Sequence, residues 1–180
     1  MLEKIQKRIE NFEKLKSESQ KIDVASKIIF DALTMGNKIL FCGNGGSASD
    51  SNHLACEFIS KFQKQRESLS AISLTANNSI LTAISNDYSF DDVFSRQIEG
   101  LGKKDDVLVA ISTSGVSKNV IKAVEMAHKK GLRVIFLTGK NKINLISDVE
   151  INAPSEVTCE IQEMHIAIGH IICEYVENNL

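Results

Sequence analysis

Lys38-Ile39-Leu40-Phe41-Cys42-Gly43-Asn44-Gly45-Gly46-Ser47-Ala48-Ser49-Asp50 is the stretch that decides the fold. Its apolar opening, 38–42, has no polar alternation and reads as a strand buried on both faces. Three glycines, Gly43, Gly45 and Gly46, break it and let the backbone turn sharply or approach a ligand. Ser47-Ala48-Ser49-Asp50 then supplies helix N-terminal residue types. Strand, glycine turn and helix start make either a plain tight connection or a place where an anion or polar sugar meets a helix N-terminus. The helix that follows puts His53 and Glu57 four residues apart on one face. That pair favours the ligand reading; alone, His53 would read as part of a solvated face.

The same alternation continues outward. Apolar runs at 69–74, 106–111 and 133–137, with a weaker one at 148–151, predict further strands. Helical patterns fall at 2–19, 22–35, 78–85, 91–100, 118–130 and 158–176, with Asn86-Asp87-Tyr88 as a polar break and the helix after the glycine turn running to about Phe62. Strands alternating with helices predict an α/β fold with a parallel sheet covered on both faces, all strand C-termini along one edge. The loops 43–47 and 112–117 both lie at that edge. Leu2, Ile5, Ile9, Phe12 and Leu15 form a narrow apolar stripe that lies on its own domain or packs on a partner chain.

Composition narrows the function classes. The chain has 180 residues, 43% hydrophobic and 24% charged, which fits one domain. A net charge of -2 gives no general attraction for nucleic acid or an anionic membrane, and no apolar run is long enough to span a bilayer. Met1 to Gln6 has no signal-peptide character, so a cytoplasmic protein is expected, with Cys42, Cys56, Cys159 and Cys173 as reduced core thiols.

Ser112-Thr113-Ser114-Gly115-Val116-Ser117 places four hydroxyls within six residues at a helix start. A cap needs fewer, and the group suits a phosphate held by dipole and hydrogen bonds without Lys or Arg. No Gly-Lys-Ser/Thr motif occurs, and the glycine turn lacks the third glycine of a dinucleotide fingerprint, so a sugar phosphate is favoured over a nucleotide. His53 and Glu57 are either two metal ligands or a carboxylate base with a neighbouring acid. On the last helix, Ile161, Met164, Ile168, Ile171, Ile172 and Tyr175 form a docking face. Gln162, Ile166, Gly169, His170 and Cys173 form a second stripe, read as a ligand or subunit surface. Gln162 and His170 are eight residues apart, about 12 Å, so if both serve one site a neighbouring subunit supplies one of them. His128 and His165 read as filler.

Gly43-Asn44-Gly45-Gly46-Ser47, Asn86-Asp87, Ser112-Thr113-Ser114-Gly115 and Ile161-Gln162-Glu163-x-His165 together resemble the phosphoheptose isomerases, of the sugar isomerase (SIS) fold, over nearly the whole chain. The resemblance implies a single SIS domain over 1–180, three-layered with a five-stranded parallel sheet. Residues 1–36 would be N-terminal helices for oligomerisation and 37–180 the sheet and its flanking helices. It implies a cytoplasmic homotetramer with sites at subunit boundaries. The reaction it implies takes sedoheptulose 7-phosphate to D-glycero-D-manno-heptose 7-phosphate, toward lipopolysaccharide or capsule heptose.

By position, Glu57 looks like the catalytic base and His170 its acid partner. Ser47, Ser112, Thr113, Ser114 and Ser117 look like phosphate and hydroxyl holders. Asn44, Gly45, Gly46, Asn86, Asp87 and Gln162 look like sugar contacts. In some relatives His53, Glu57, Gln162 and His170 surround zinc, which is therefore a candidate cofactor; no nucleotide cofactor is implied. Before Gln162 the family pattern has an Asp- or Ala-Arg pair, where this chain has Cys159-Glu160. Two rivals remain: a related non-catalytic adaptor that binds a replication-initiation protein, and an isomerase of another phosphosugar. Retention of Glu57, His170 and Gln162 together favours the enzyme over the adaptor.

Overall fold

The apolar runs become five parallel strands: β1 (Ile39–Gly43), β2 (Ala71–Ser73), β3 (Val107–Ser112), β4 (Arg133–Thr138) and β5 (Val149–Asn152), in the order β2-β1-β3-β4-β5. The computed structural model describes residues 1–140 and 145–180. The helices are α1 (Leu2–Leu15), α2 (Ser19–Thr34), α3 (Gly46–Ile59), α4 (Asn78–Asp87), α5 (Ser95–Leu101), α6 (Lys118–Lys130) and α7 (Thr158–Asn179).

Alternate strand residues feed two cores. Ile39, Phe41, Val109, Ile111, Ile135 and Leu137 pack against α2, α3 and α7. Leu40, Cys42, Leu108, Ala110, Val134 and Phe136 pack against α5 and α6. Continuous apolar strands are what a sheet covered on both faces requires.

Several boundaries differ from the periodic reading. A 3₁₀ turn at Lys16–Glu18 separates α1 from α2, so 2–19 is not one helix. Asn86 and Asp87 close α4 instead of breaking the chain after it, and α3 stops at Ile59 rather than near Phe62. Only Leu15 of the α1 stripe is buried; Leu2, Ile5, Ile9 and Phe12 are 80%, 54%, 50% and 40% exposed, so the stripe does not lie on its own domain. α2 instead belongs to the core through Ile22, Ala25, Ile29 and Ala32. Cys56 and Cys159 are exposed free thiols, and only Cys42 and Cys173 are core residues, their thiols pushed up to about 12 by burial. Ile171 of the expected docking face is exposed as well.

The second stripe of α7 is an intrachain seam. Gln162 lies on Gly46, Gly169 on Leu54 and His170 beside His53, so α3 and α7 run side by side in one direction. A Cβ at Gly169 would overlap the side chain of Leu54, itself 1% exposed. The mid-helix glycine therefore serves close approach within the chain.

Beyond α3, the Glu177 carboxylate accepts from the backbone N–H groups of Phe62 (3.0 Å), Gln63 (2.7 Å) and Lys64 (2.7 Å) and from Arg66 Nε (3.1 Å). Arg66 also donates to the carbonyls of Glu57 and Phe58 at the end of α3. At the other end of α7, Glu160 accepts from Asn11 Nδ2 and Ser155 Oγ, both at 2.7 Å, and faces Arg8 at 3.5 Å, which docks α1. Here the Cys159-Glu160 departure from the family pattern makes an intrachain contact.

Gly169→Ala should lower the unfolding temperature: an overlap in a packed core costs about 1–3 kcal/mol, and helix propensity returns only about 1. Thermal unfolding by circular dichroism reads this. Burial works against the Glu177 charge, but the N–H groups of Gln63, Lys64 and Phe62 and the Arg66 guanidinium outweigh it, so the carboxyl titrates below its ordinary 4.5. Its stabilisation is then whole above that value and lost as the pH falls past it. Glu177→Gln should lower the unfolding temperature at neutral pH, with the gap to wild type closing in acid, as scanning calorimetry across pH would read.

Candidate active site

The site is built where β1 and β3 end. Gly45 adopts φ +57° and ψ −120°, a region glycine reaches without strain, and turns the chain into α3. Gly46 then leaves room for the Gln162 side chain, which a Cβ would overlap. Ser47 is buried, and its N–H donates to the Asn44 carbonyl at 3.0 Å. The Asn44 and Asn119 amides form a reciprocal pair, each Nδ2 donating to the other's Oδ1 at 2.8 Å. Asn119, in the first turn of α6, had no periodic or motif signal marking it.

In the neighbouring loop, Ser112 Oγ accepts from Gly115 N (3.1 Å) and donates to Ser117 Oγ (3.2 Å). Ser112 thus braces the turn from within. Thr113 and Ser114 face a cavity of about 250 Å³, lined also by Lys140, Ser155, Glu156, Thr158 and Ile161. Lys140 pairs with Glu156 at 3.2 Å, both side chains largely exposed. The phosphate-loop reading, made without any cation, did not anticipate a lysine at this cavity.

Two to three turns along α3, three chemically active side chains converge. His53 Nε2 stands 2.9 Å from His170 Nε2 and 3.3 Å from Glu57 Oε1. The Glu57 side chain is 18% exposed and that of His53 48%. The Phe62 ring covers His170 with centroids 5.4 Å apart, placed there by the segment that Glu177 grips. Burial, then the charge of His53, lower the His170 pKa against the opposing pull of Glu57, which favours the neutral imidazole. At 2.9 Å the two imidazole nitrogens share a single proton. On the same helix, burial raises the Asp50 carboxyl to about 6, and its Oδ2 has no hydrogen-bond partner among the described residues.

Other expected residues fall elsewhere. Gln162 sits at the glycine turn, about 12 Å along α7 from His170. Asn86 and Asp87 are exposed at the end of α4, Asn86 Nδ2 donating to Asp87 at 2.9 Å. Asp87 lines a cleft with Tyr88 and Arg96 rather than either loop. His165 is fully buried, its Nε2 3.0 Å from the Thr138 carbonyl and its pKa lowered to about 4 by burial, while His128 contacts the Ile146 carbonyl.

For zinc, the two imidazoles and one carboxylate of His53, His170 and Glu57 are donors of the right kind. No metal cage of His, Cys, Asp and Glu stands ready among the described residues. Nitrogens bound to one tetrahedral zinc stand about 3.3 Å apart, so the 2.9 Å pair would open slightly. Gln162 does not join these three within one chain.

The SIS domain family model matches residues 2–139. The phosphoheptose isomerase of Akkermansia muciniphila is 46% identical over 173 residues, 95% of this chain and 92% of that protein. That of Nitratiruptor sp. is 48% identical over 186 residues, 99% of this chain and 100% of that one. The structure of the phosphoheptose isomerase from Neisseria gonorrhoeae superposes with a TM-score of 0.93 at 39% identity, covering 98% and 96% of the two chains. With the SIS model over most of the chain and relatives this similar nearly end to end, the chain belongs to the phosphoheptose isomerase family of SIS-domain proteins.

Proposed function

We propose that the chain isomerises sedoheptulose 7-phosphate to D-glycero-D-manno-heptose 7-phosphate through an enediol. The observation that carries this reading is the convergence of Glu57, His53 and His170 at one end of a seam whose other end is the glycine turn. From Gly46 to His53 is seven residues, about 10 Å of helix, a length that suits a sugar phosphate of several carbons. The hydroxyls and amides of the 112–117 loop take the phosphate, assisted by the start of α6. Binding there fixes the far end and positions the reacting carbons.

The Glu57 carboxylate removes the C1 proton of the open-chain ketose and returns one at C2. His170 moves the proton between the two oxygens, and each transfer is worth about 10²–10⁴-fold. Gln162 at the glycine turn hydrogen-bonds sugar hydroxyls. A bound zinc would be held by His53, Glu57 and His170 and would polarise the carbonyl oxygen. The relatives named above favour the enzyme over a replication adaptor.

The assembly we infer is a homotetramer acting in the cytoplasm, its product destined for surface glycan heptose. Two surfaces support assembly: the exposed α1 stripe, and α4, which has no buried residue in the isolated chain. A second copy seated on them would bring Asn86 and Asp87 to a neighbour's site. No helix among the described residues is long and apolar enough to cross a membrane.

Glu57→Gln should abolish turnover of sedoheptulose 7-phosphate, followed by NMR of the aldose product, while sugar-phosphate binding by calorimetry persists; near-normal turnover would remove Glu57 as the base. Ile5→Lys with Ile9→Lys should shift the mass in light scattering below that of the wild-type oligomer, and an unchanged mass would exclude the α1 stripe from the interface.

A further inference from the structure

The β1–β3 ladder ends at Gly43 and Ile111. Past that point no backbone pairing holds the glycine turn to the 112–117 loop, and the two chains diverge into α3 and α6. The first link beyond the ladder is the reciprocal pair of Asn44 and Asn119, two hydrogen bonds of 2.8 Å each. Asn119 is 3% exposed. Each amide commits one N–H and one oxygen lone pair to the other, so both rotamers and both oxygen–nitrogen orientations are fixed together.

Gly43, Gly45 and Gly46 offer no side chain to anchor the turn, and Ser47, already in the first turn of α3, makes no side-chain hydrogen bond to the 112–117 loop. On the other side, Ser112 is braced inward on Gly115 and Ser117. Each loop is thus shaped locally, and the amide pair sets their separation.

We propose that Asn119 is a positioning residue of the isomerase: acting through Asn44, it holds the phosphate loop at the distance from the glycine turn that a sugar phosphate bridging the two requires. This rests on the phosphosugar isomerase reading. It also recasts Asn44, whose amide is engaged by Asn119, as a tie between loops. A substrate anchored by its phosphate on one loop and reacting beside the helix that leaves the other is sensitive to that spacing, because misplacement of about 1 Å can cost on the order of 100-fold in rate. The phosphate end alone spans only one loop and is insensitive to it.

The test compares wild type with Asn119→Ala, Asn119→Asp, Asn44→Ala and the Asn44→Ala/Asn119→Ala double variant. The readouts are kcat and KM on sedoheptulose 7-phosphate, the inhibition constant of inorganic phosphate, and the unfolding temperature. For Asn119→Ala, kcat should fall about 10- to 100-fold while the phosphate inhibition constant stays within about twofold of wild type. The double variant should be no slower than the slower single one, because the pair acts as a unit.

Asn119→Asp still accepts from Asn44 but cannot donate to it, and should fall between; if the alanine variant does not fold, this one and Asn44→Ala carry the same comparison. The proposal is overturned if kcat of the Asn119 variants stays within about twofold of wild type, or if the losses of the single variants multiply in the double. It is equally overturned if the phosphate inhibition constant rises in step with the loss of kcat, since Asn119 would then support the phosphate loop alone. Wild-type protein inert toward sedoheptulose 7-phosphate would count against the isomerase reading itself.

Discussion

Two helices that leave different parts of the chain, α3 and α7, are held side by side because one of them has no side chain at residue 169. Leu54 occupies the space a Cβ would take. That contact sets the register: eight residues of α7 between Gln162 and His170 run alongside seven of α3 between Gly46 and His53. Interiors packed this tightly do not deform gradually, so a change at the contact is felt along the seam. The helix-propensity cost of about 1 kcal/mol for a central glycine accompanies the placing of the His170 imidazole beside that of His53.

The far end of the seam is secured by charge. Glu177 gathers three backbone N–H groups and Arg66, and Arg66 in turn satisfies the last carbonyls of α3. A buried ion pair by itself is weak support for a fold. This one is saturated with hydrogen bonds, and it delivers Phe62 onto His170. Removal of one partner would leave the other charged in an apolar setting, and the ring that shields His170 from water would lose its seat. The same unit therefore closes a helix end and seats the ring that covers His170.

Much of this was legible in the residues. The buried strands announced themselves as apolar runs, and the glycine turn with its polar helix start marked the ligand edge. Spacing placed His53 over Glu57 before any coordinates. The amphipathic pattern of α7 also revealed two stripes, but periodicity cannot say what a stripe faces. Gly169 and Cys173 looked like a surface for a ligand or subunit and are core, because packing against α3 is long-range information absent from a helical wheel. The spacing of Gln162 and His170 was legible too, and they sit at opposite ends of the seam; the proposed sugar phosphate spans that length within one chain, so the expectation that a neighbour must supply one of them is not required. Asn119, Phe62, Arg66, Lys140 and Glu177 left no trace because each acts through a tertiary partner outside its own element, 16 to 115 residues away. Asn86 and Asp87 stand apart for a related reason: α4 has little to pack on within one chain.

The geometry around residue 53 bears on how an enediol could be handled. Glu57 faces one edge of the His53 imidazole and His170 shares the same nitrogen. That nitrogen can hold a proton for the carboxylate or accept one from His170, not both at once. If Glu57 is the base, a proton it gains from carbon would change which way the imidazole pair is polarised. Burial lowers the His170 pKa and so favours the neutral imidazole, a form that can both give and take a proton. A permanently charged imidazolium could only donate, and a fully solvated pair would exchange its proton with water. Carbon and oxygen protons must move in a coordinated order for an aldose to emerge from a ketose, and under the proposed roles a carboxylate and an imidazole that both contact His53 would supply that order without any group travelling.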